Sequence, residues 1–322
     1  MRFLSALSEK DLKGKRVLLR LNLDIKRPRT DSYRLAAAIP TITFLLNKGA
    51  RPIILSHNGR PEGKDLSLSL KPAIDALSEL IGTNIEYLEN LRFDPRENAG
   101  DEPFARELAK QGDLYVNDDF ATSHRACASI TGIARFLPGY AGLRMEEEIK
   151  NLSRVRDNPA LPLVVVIGGI KIDDKISTIK NLAHHGTKFL LGSAYDMPRE
   201  TLPHGAKIVI PTDYAESGGK RLDIGPETAK AYAEAIMNAK TVIWSGPVGL
   251  AENEAYAAGS RKIAKAIGAS TAFSVAGGGD TGDFLERTGL MKHLDFVSTG
   301  GGAMLAFLSG KTLPGIMALD TD

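Results

Sequence analysis

The stretch VLLRLNLDIKRP, Val17 to Pro28, sets the reading of the chain. In a strand, successive side chains point to opposite faces. Val17, Leu19, Leu21, Leu23 and Ile25 therefore share one face, and Leu18, Arg20, Asn22 and Asp24 share the other. The first face is apolar throughout and reads as core. The second turns polar as the strand runs out, with a cation, an amide and a carboxylate in a row. A strand that lines up such groups just before it ends raises the question of what they face.

Outward from this strand the chain alternates strand-like and helix-like segments. SYRLAAAIPTITFLLNKG reads as a helix stopped by Gly49, RPIILSH as a strand, and SLKPAIDALSELIG as a helix capped by Ser69 and stopped by Gly82. FARELAKQG and DLYVNDDF repeat the pattern. Runs such as PIILS and LVVVIGG are apolar on successive residues, which points to parallel sheets covered by helices on both faces. A long charged helix, AGLRMEEEIKNLSRVRDNP, ends in the proline-interrupted NPALP, and the rhythm then restarts with LPLVVVIGG, KFLLGSA, AKIVIPTD, KTVIWSGP, TAFSVAGGG and LDFVSTGGG. The fold class expected is α/β, with two halves that each form a doubly wound domain. At 322 residues the chain is long enough for two cores.

The totals exclude several classes. Lys plus Arg is 41 and Asp plus Glu is 39, a net charge of +2, which gives no support for a nucleic-acid or membrane-surface partner. A single cysteine, Cys127, rules out an internal disulfide and fits a reducing compartment. The N-terminus has no apolar leader, and no run approaches the roughly 20 apolar residues of a membrane span. A cytoplasmic protein is expected. There is no G-x-S-x-G, HExxH or Cys–His pattern, and His184-His185, read as helical, lack metal-ligand partners. Neither a covalent intermediate nor a zinc site is expected.

Two sets of residues carry chemistry. In the second half, strands end in IGGIKIDDK, LGSAYD, WSGPVG, AGGGDTGDF and STGGGAMLAFL. Glycines beyond the carboxyl ends of strands let backbone N–H groups approach phosphate oxygens. Lys171 and Lys175 follow one such loop and suit phosphate as mobile point charges. Asp280 suits either a Mg²⁺ ion or a helix N-cap. Gly277, Gly279 and Gly282 also satisfy G-x-G-x-x-G, but late in the domain and with no acidic residue ending a following strand, which argues against NAD. In the first half, strand ends carry Arg20, SHNGRP, Arg92, His124 and Arg125, with Arg34 opening the first helix. Several arginines converging on one sheet edge suit a small anion.

These motifs, in order and over nearly the whole chain, resemble the phosphoglycerate kinase family: RLNLDI, DSYRLAAAIPTI, LSHNGRPEGK, LENLRF, VNDDFATSHRACAS, IGGIKIDDKI, DIGPET, VIWSGPVGLAENEA, VAGGGDTGDF and VSTGGGAMLAFLSGKTLPG. The resemblance implies two Rossmann-like doubly wound parallel-sheet domains joined by a hinge helix. A phosphoglycerate-binding domain would span 1–152, with a tail, 310–322, packing back on it; a nucleotide-binding domain would span 153–309. The implied reaction is reversible phosphoryl transfer between ATP and 3-phosphoglycerate, giving ADP and 1,3-bisphosphoglycerate, with Mg²⁺, in a monomer whose cleft closes. By resemblance, Asn22, Asp24, Arg34, His57, Asn58, Gly59, Arg60, Arg92 and Arg125 hold phosphoglycerate. Gly169, Lys171, Lys175, Gly192, Pro247, Glu252, Gly278, Gly279, Asp280 and Thr281 hold the nucleotide, with Asp280 on the metal. Arg34, Lys171, Lys175 and Gly301 serve the transferred group.

The chain also departs from the family. Segments usual after ELIGTNIEY and after LLGSAYD are missing. Ser245, Ala251, Cys127 and Ala306 stand where the family has Asn, an aromatic, His and Glu. The family's Arg-x-Asp-x-Asn reads here Arg20-x-Asn22-x-Asp24. These changes keep open an alternative, a relative that binds phosphoglycerate or nucleotide with little or no catalysis.

Overall fold

The computed structural model describes residues 1–25, 28, 30, 32–169, 175–184, 186–196 and 202–320. Its contacts divide the chain into two compact units, Met1–Ile149 with Thr312–Asp322, and Lys150–Lys311. Among the described residues no helix is long and apolar enough to cross a membrane.

The first unit holds β1 (Arg16–Arg20), β2 (Arg51–Leu55), β3 (Glu86–Tyr87), β4 (Leu114–Asn117) and β5 (Gly139–Ala141). They form one parallel sheet in the order β3-β2-β1-β4-β5. β1 is central, and a central parallel strand is covered on both faces. Val17, Leu18 and Leu19 are all fully buried, and so is Arg20. The alternation in the sequence therefore does not mark an inner and an outer face, and Arg20 does not join an exposed cationic edge. The helices Tyr33–Asn47 and Lys71–Ile81 end where their glycines predict, at Gly49 and Gly82, both with positive φ.

The second unit holds β6 (Leu163–Ile167), β7 (Lys188–Leu191), β8 (Lys207–Val209), β9 (Tyr214–Ser217), β10 (Lys220–Ile224), β11 (Thr241–Ser245), β12 (Phe273–Gly277) and β13 (Phe296–Ser298). Six of them form a parallel sheet in the order β13-β12-β11-β6-β7-β8. β9 and β10 make a separate antiparallel hairpin that the sequence reading missed. Its turn is Gly218-Gly219, both at positive φ, the conformation two-residue hairpin loops require. His184 lies beyond the helix Ile176–Asn181 rather than within it.

Both sheets have the doubly wound order, and each reverses direction once. The reversal falls between β1 and β4 in one and between β6 and β11 in the other. Such a switch point leaves a crevice outside the carboxyl ends of the strands, where ligands bind in folds of this kind.

The helix Leu143–Asp157 begins against the end of β4. Asp118 Oδ1 accepts from Met145 N at 2.9 Å, and Thr41 Oγ1 accepts from Leu143 N at 3.1 Å. A side chain at Gly142 would lie 2.2 Å from Asp118 Oδ1, so only glycine lets this cap close. Burial pushes the Asp118 carboxyl up to about 6, against the hydrogen bonds and the Arg144 charge that favour its ionised form. A raised carboxyl binds its proton more tightly in the native state. Its contribution is therefore present below the unfolded value of 3.8 and lost as pH rises through about 6. Relative to Asp118→Asn, the wild type is predicted to lose roughly 2 kcal/mol between pH 4 and pH 7 in urea unfolding. A pH-independent difference between the two proteins would contradict this assignment.

Candidate functional site

At the first switch point the charged groups are packed in a network. Arg20 donates from Nε to Ser129 Oγ at 2.9 Å, from Nη1 to the Leu21 carbonyl, and from Nη2 to His57 Nδ1 at 2.7 Å. Its Nη1 also lies 2.8 Å from Asp119 Oδ2, and neither side chain is exposed. Ser129 passes the contact on to Glu97 Oε1 at 2.6 Å. Guanidinium nitrogens only donate, so His57 Nδ1 accepts and the proton of the neutral ring sits on Nε2. That nitrogen is 3.9 Å from Asp24 Oδ2. Burial, and then the charges of Arg20, Arg92, Arg125 and Arg34, hold the His57 pKa well below its usual value.

The residues after β1 and β2 are tied together. Asp24 Oδ1 accepts from Gly59 N at 2.9 Å, and Arg34 donates to the Asp24 carbonyl. Arg92 donates to the Gly59 carbonyl at 2.7 Å, and Asn90 holds the Asn58 carbonyl at 2.7 Å. Arg60, Arg92 and Arg125 line a cavity of about 450 Å³, together with Asn98 and Cys127. Arg92 is buried, and its pKa is lowered by desolvation and then by repulsion from Arg125 and Arg20. Burial likewise raises the Cys127 thiol. These cations repel one another around a hollow, which is the electrostatic requirement for binding an anion.

At the second switch point the loops are built of glycine rather than charge. A side chain at Gly168 would meet the Pro247 carbonyl at 1.8 Å, so the loops after β6 and β11 touch only because there is none. A cavity of about 810 Å³ opens there, with Gly169, Lys175, Pro247, Glu252 and Asp280 in its walls. Lys175 Nζ donates to the Gly168 carbonyl and, at 3.3 Å, to the Ser245 carbonyl. Gly278, at φ +120, caps the helix Gly279–Arg287. Asp280 is therefore not the cap; it lies in the first turn and faces the cavity. No three His, Cys, Asp or Glu side chains gather as a metal cage among the described residues.

Of the expected residues, those of the first half come together around β1, β2 and the arginine cavity. Five of the second half line the larger cavity. Gly192 and Gly301 are packed behind it, against Gly168 and Gly278. Thr281 is fully buried and accepts from Gly246 N at 2.8 Å, fixing the loop rather than facing the cavity. Lys171 lies outside the described residues. The sequence reading missed Lys220, Arg221 and Leu222 of the β9–β10 hairpin, which also line the cavity. Their signal is the Gly218-Gly219 pair between two strand-forming runs.

Two doubly wound parallel-sheet units, each with a ligand crevice at its switch point, define a two-domain α/β protein of Rossmann-like construction. The family model for phosphoglycerate kinase matches residues 7–88, 83–198 and 195–311. The phosphoglycerate kinase of Herpetosiphon aurantiacus is 39% identical over 380 aligned positions, covering 95% of this chain and 96% of that protein. That of Roseiflexus sp. is 38% identical, covering 96% and 97%. Among solved structures, phosphoglycerate kinase from Coxiella burnetii is 31% identical with a TM-score of 0.81, covering 98% of both chains. That from Pyrococcus horikoshii is 28% identical with a TM-score of 0.86, covering 99% and 98%. The chain belongs to the phosphoglycerate kinase family, and its catalytic class is that of a kinase. An alignment of 380 positions against 322 residues means the relative carries segments this chain lacks. The family match breaks near residues 83–88 and 195–198, where the sequence lacks its two usual segments.

A His57 pKa below that of the unfolded chain means that stability falls as pH drops below 6.5, because only the unfolded ring then takes a proton. Nitrogen NMR is predicted to show His57 neutral, protonated on Nε2, from pH 8 to pH 6. A ring that titrates near 6.5 would contradict the network described here.

Proposed function

We propose that this chain transfers the γ-phosphoryl group of ATP reversibly to the carboxylate of 3-phosphoglycerate, giving 1,3-bisphosphoglycerate and ADP. The observation that carries the reading is the crowding of Arg60, Arg92 and Arg125 around one cavity, with Arg20 and Arg34 adding to the same positive potential. Phosphoglycerate is a small, multiply charged anion that answers this charge.

The attacking oxygen belongs to a carboxylate that is already ionised at neutral pH, so no general base is needed. This agrees with a neutral His57 that acts as a donor. Arg60, Arg92 and Arg125 hold phosphate and carboxylate oxygens by forked hydrogen bonds. Asn22, Asp24, Arg34, His57, Asn58 and Gly59, tied to the cavity wall through the Gly59 carbonyl on Arg92, orient the glycerate. The carboxylate oxygen bonds to the γ-phosphorus as the bond to the β,γ-bridging oxygen breaks, and ADP keeps that electron pair. Positioning and positive charge do the catalysis, as in phosphoryl transfer generally.

The larger cavity takes the nucleotide. Glu252 accepts hydrogen bonds from ribose hydroxyls, and Gly169 and Pro247 border the base, with Gly192 packed behind them. Lys175, Lys171 and the backbone of Gly278 and Gly279 meet the phosphates, with Gly301 packed against Gly278, while Thr281 holds the adjoining loop. Mg²⁺ prefers one or two carboxylates plus phosphate oxygens, and Asp280 in the cavity wall fits that demand. The ion would neutralise phosphate charge there. A cytoplasmic monomer is the setting that this activity and the charge balance support.

A coupled assay of 1,3-bisphosphoglycerate formation with Mg-ATP tests the reading. Turnover of about 1–100 s⁻¹ is expected for a kinase. Arg92→Lys is predicted to raise the phosphoglycerate KM about tenfold or more and leave the ATP KM unchanged, because a lysine cannot reproduce the fork. Asp280→Asn is predicted to act on the Mg-ATP side instead. A wild type no faster than Lys171→Ala would leave only a binding role.

A further inference from the structure

The exchanged motif Arg20-x-Asn22-x-Asp24 has a physical reason in residues far from it in sequence. Asn22 Nδ2 donates to Asp119 Oδ1 at 3.2 Å. Asp119 is fully buried; its Oδ1 also accepts from Thr122 N at 2.9 Å, and its Oδ2 faces Arg20 Nη1 at 2.8 Å. An Asp at position 22 would set two carboxylates at hydrogen-bond distance, and such a pair cannot ionise fully. An amide there adds a further donor to Asp119 in place of a second negative charge.

Position 24 has the opposite constraint. Asp24 Oδ1 accepts from Gly59 N at 2.9 Å, while Oδ2 faces His57 Nε2 at 3.9 Å. Because Arg20 occupies His57 Nδ1, Nε2 carries the proton. An Asn at 24 that kept the Gly59 contact would turn its NH₂ toward another donor. A carboxylate satisfies both neighbours, and with its side chain 39% exposed it still has a face for the ligand.

We propose that Asp119 is a positioning residue of the phosphoglycerate site. Acting through Asn22 and Arg20, it dictates the amide at 22 and leaves Asp24 as the part-exposed carboxylate that faces the substrate. The proposal rests on the kinase reading and deepens it. Asn22 and Asp119 are thus one amide–acid pair. With Asn22→Asp and Asp119→Asn together, one amide and one carboxylate face each other again, so the acid–acid clash is avoided, but Arg20 loses the buried carboxylate that Asp119 supplies.

The test is a four-protein cycle: wild type, Asn22→Asp, Asp119→Asn, and the double variant, read by KM for 3-phosphoglycerate, KM for ATP and kcat. Each single change is expected to raise the phosphoglycerate KM about tenfold, the size of one lost charge-assisted hydrogen bond, with the ATP KM unmoved. The double variant is expected to do better than the worse single by relieving the acid–acid clash, while still lacking the Arg20 partner; independent sites would show no such recovery. Asn22→Asp carries a second signature. Its acid pair is faced by Arg20 on Asp119 and by Asp24 beyond, and it takes up a shared proton as pH falls. Its phosphoglycerate KM should therefore improve from pH 8 to pH 6, in contrast to the wild type. Restoring the family order on the strand alone, Asn22→Asp with Asp24→Asn, should raise the KM as well.

A wild-type KM in Asn22→Asp, or a double variant no better than the worse single, would overturn the proposal. If Asp119→Asn does not fold, the pH dependence of the Asn22→Asp KM decides alone. A wild type without turnover would overturn the kinase reading instead; the pairing would then be judged by urea midpoints of the same four proteins, where failure of the double variant to recover would overturn it too.

Discussion

The ion pair between Arg20 and Asp119, fully buried at the switch point of the first sheet, is the contact on which the rest of the site depends. Removing one member of such a pair costs roughly 3–5 kcal/mol, because the other is left charged and out of water. The pair joins the ends of two neighbouring parallel strands, β1 and β4. It also fixes three things around it. Arg20 sets the tautomer of His57, Asp119 sets the amide at Asn22, and Ser129 with Glu97 closes the far side. The strand end is thus rigid before any ligand arrives, and pre-organisation of this kind is what catalysis by positioning needs.

The two units solve the same topological problem with different chemistry. Each places a crevice at the reversal of its strand order. In the first, the loops carry arginines whose mutual repulsion is left for an anion to relieve. In the second, the loops are glycine, so backbone can approach backbone and, by the same freedom, phosphate. The first site thus rests on clustered arginines and the second on glycine-loop backbone with Lys175, Lys220 and Arg221 in its wall, which suits a reaction between a small polyanion and a nucleotide.

Much of this was readable in the sequence. The helix stops at Gly49 and Gly82, strands β1, β2 and β4 of the first sheet, the six strands of the second, and the glycine loops follow local rules; β3 and β5, two and three residues long, carry no such signal. So did the family, because its motifs are short, ordered and numerous. What was not readable depended on partners distant in the chain. Arg20 looks like the start of an exposed polar stripe until β2 and β4 flank it and burial removes it from solvent. The order of Asn22 and Asp24 looks like a defect until Asp119, 97 residues away, and His57 are placed beside them. Thr281 looks like a phosphate contact beside its glycines, yet it faces Gly246. The β9–β10 hairpin carries a local signal in Gly218-Gly219, masked by the parallel rhythm around it.

The claim that the arginine cavity of the first unit is the phosphoglycerate site is tested most directly by a structure of the complex with 3-phosphoglycerate. The account predicts the ligand in that cavity, with an anionic group forked by Arg60, Arg92 and Arg125 and the glycerate reaching toward Asp24. Phosphoglycerate found only in the larger cavity of the second unit, or away from Asp24 with these arginines still solvated, would contradict it.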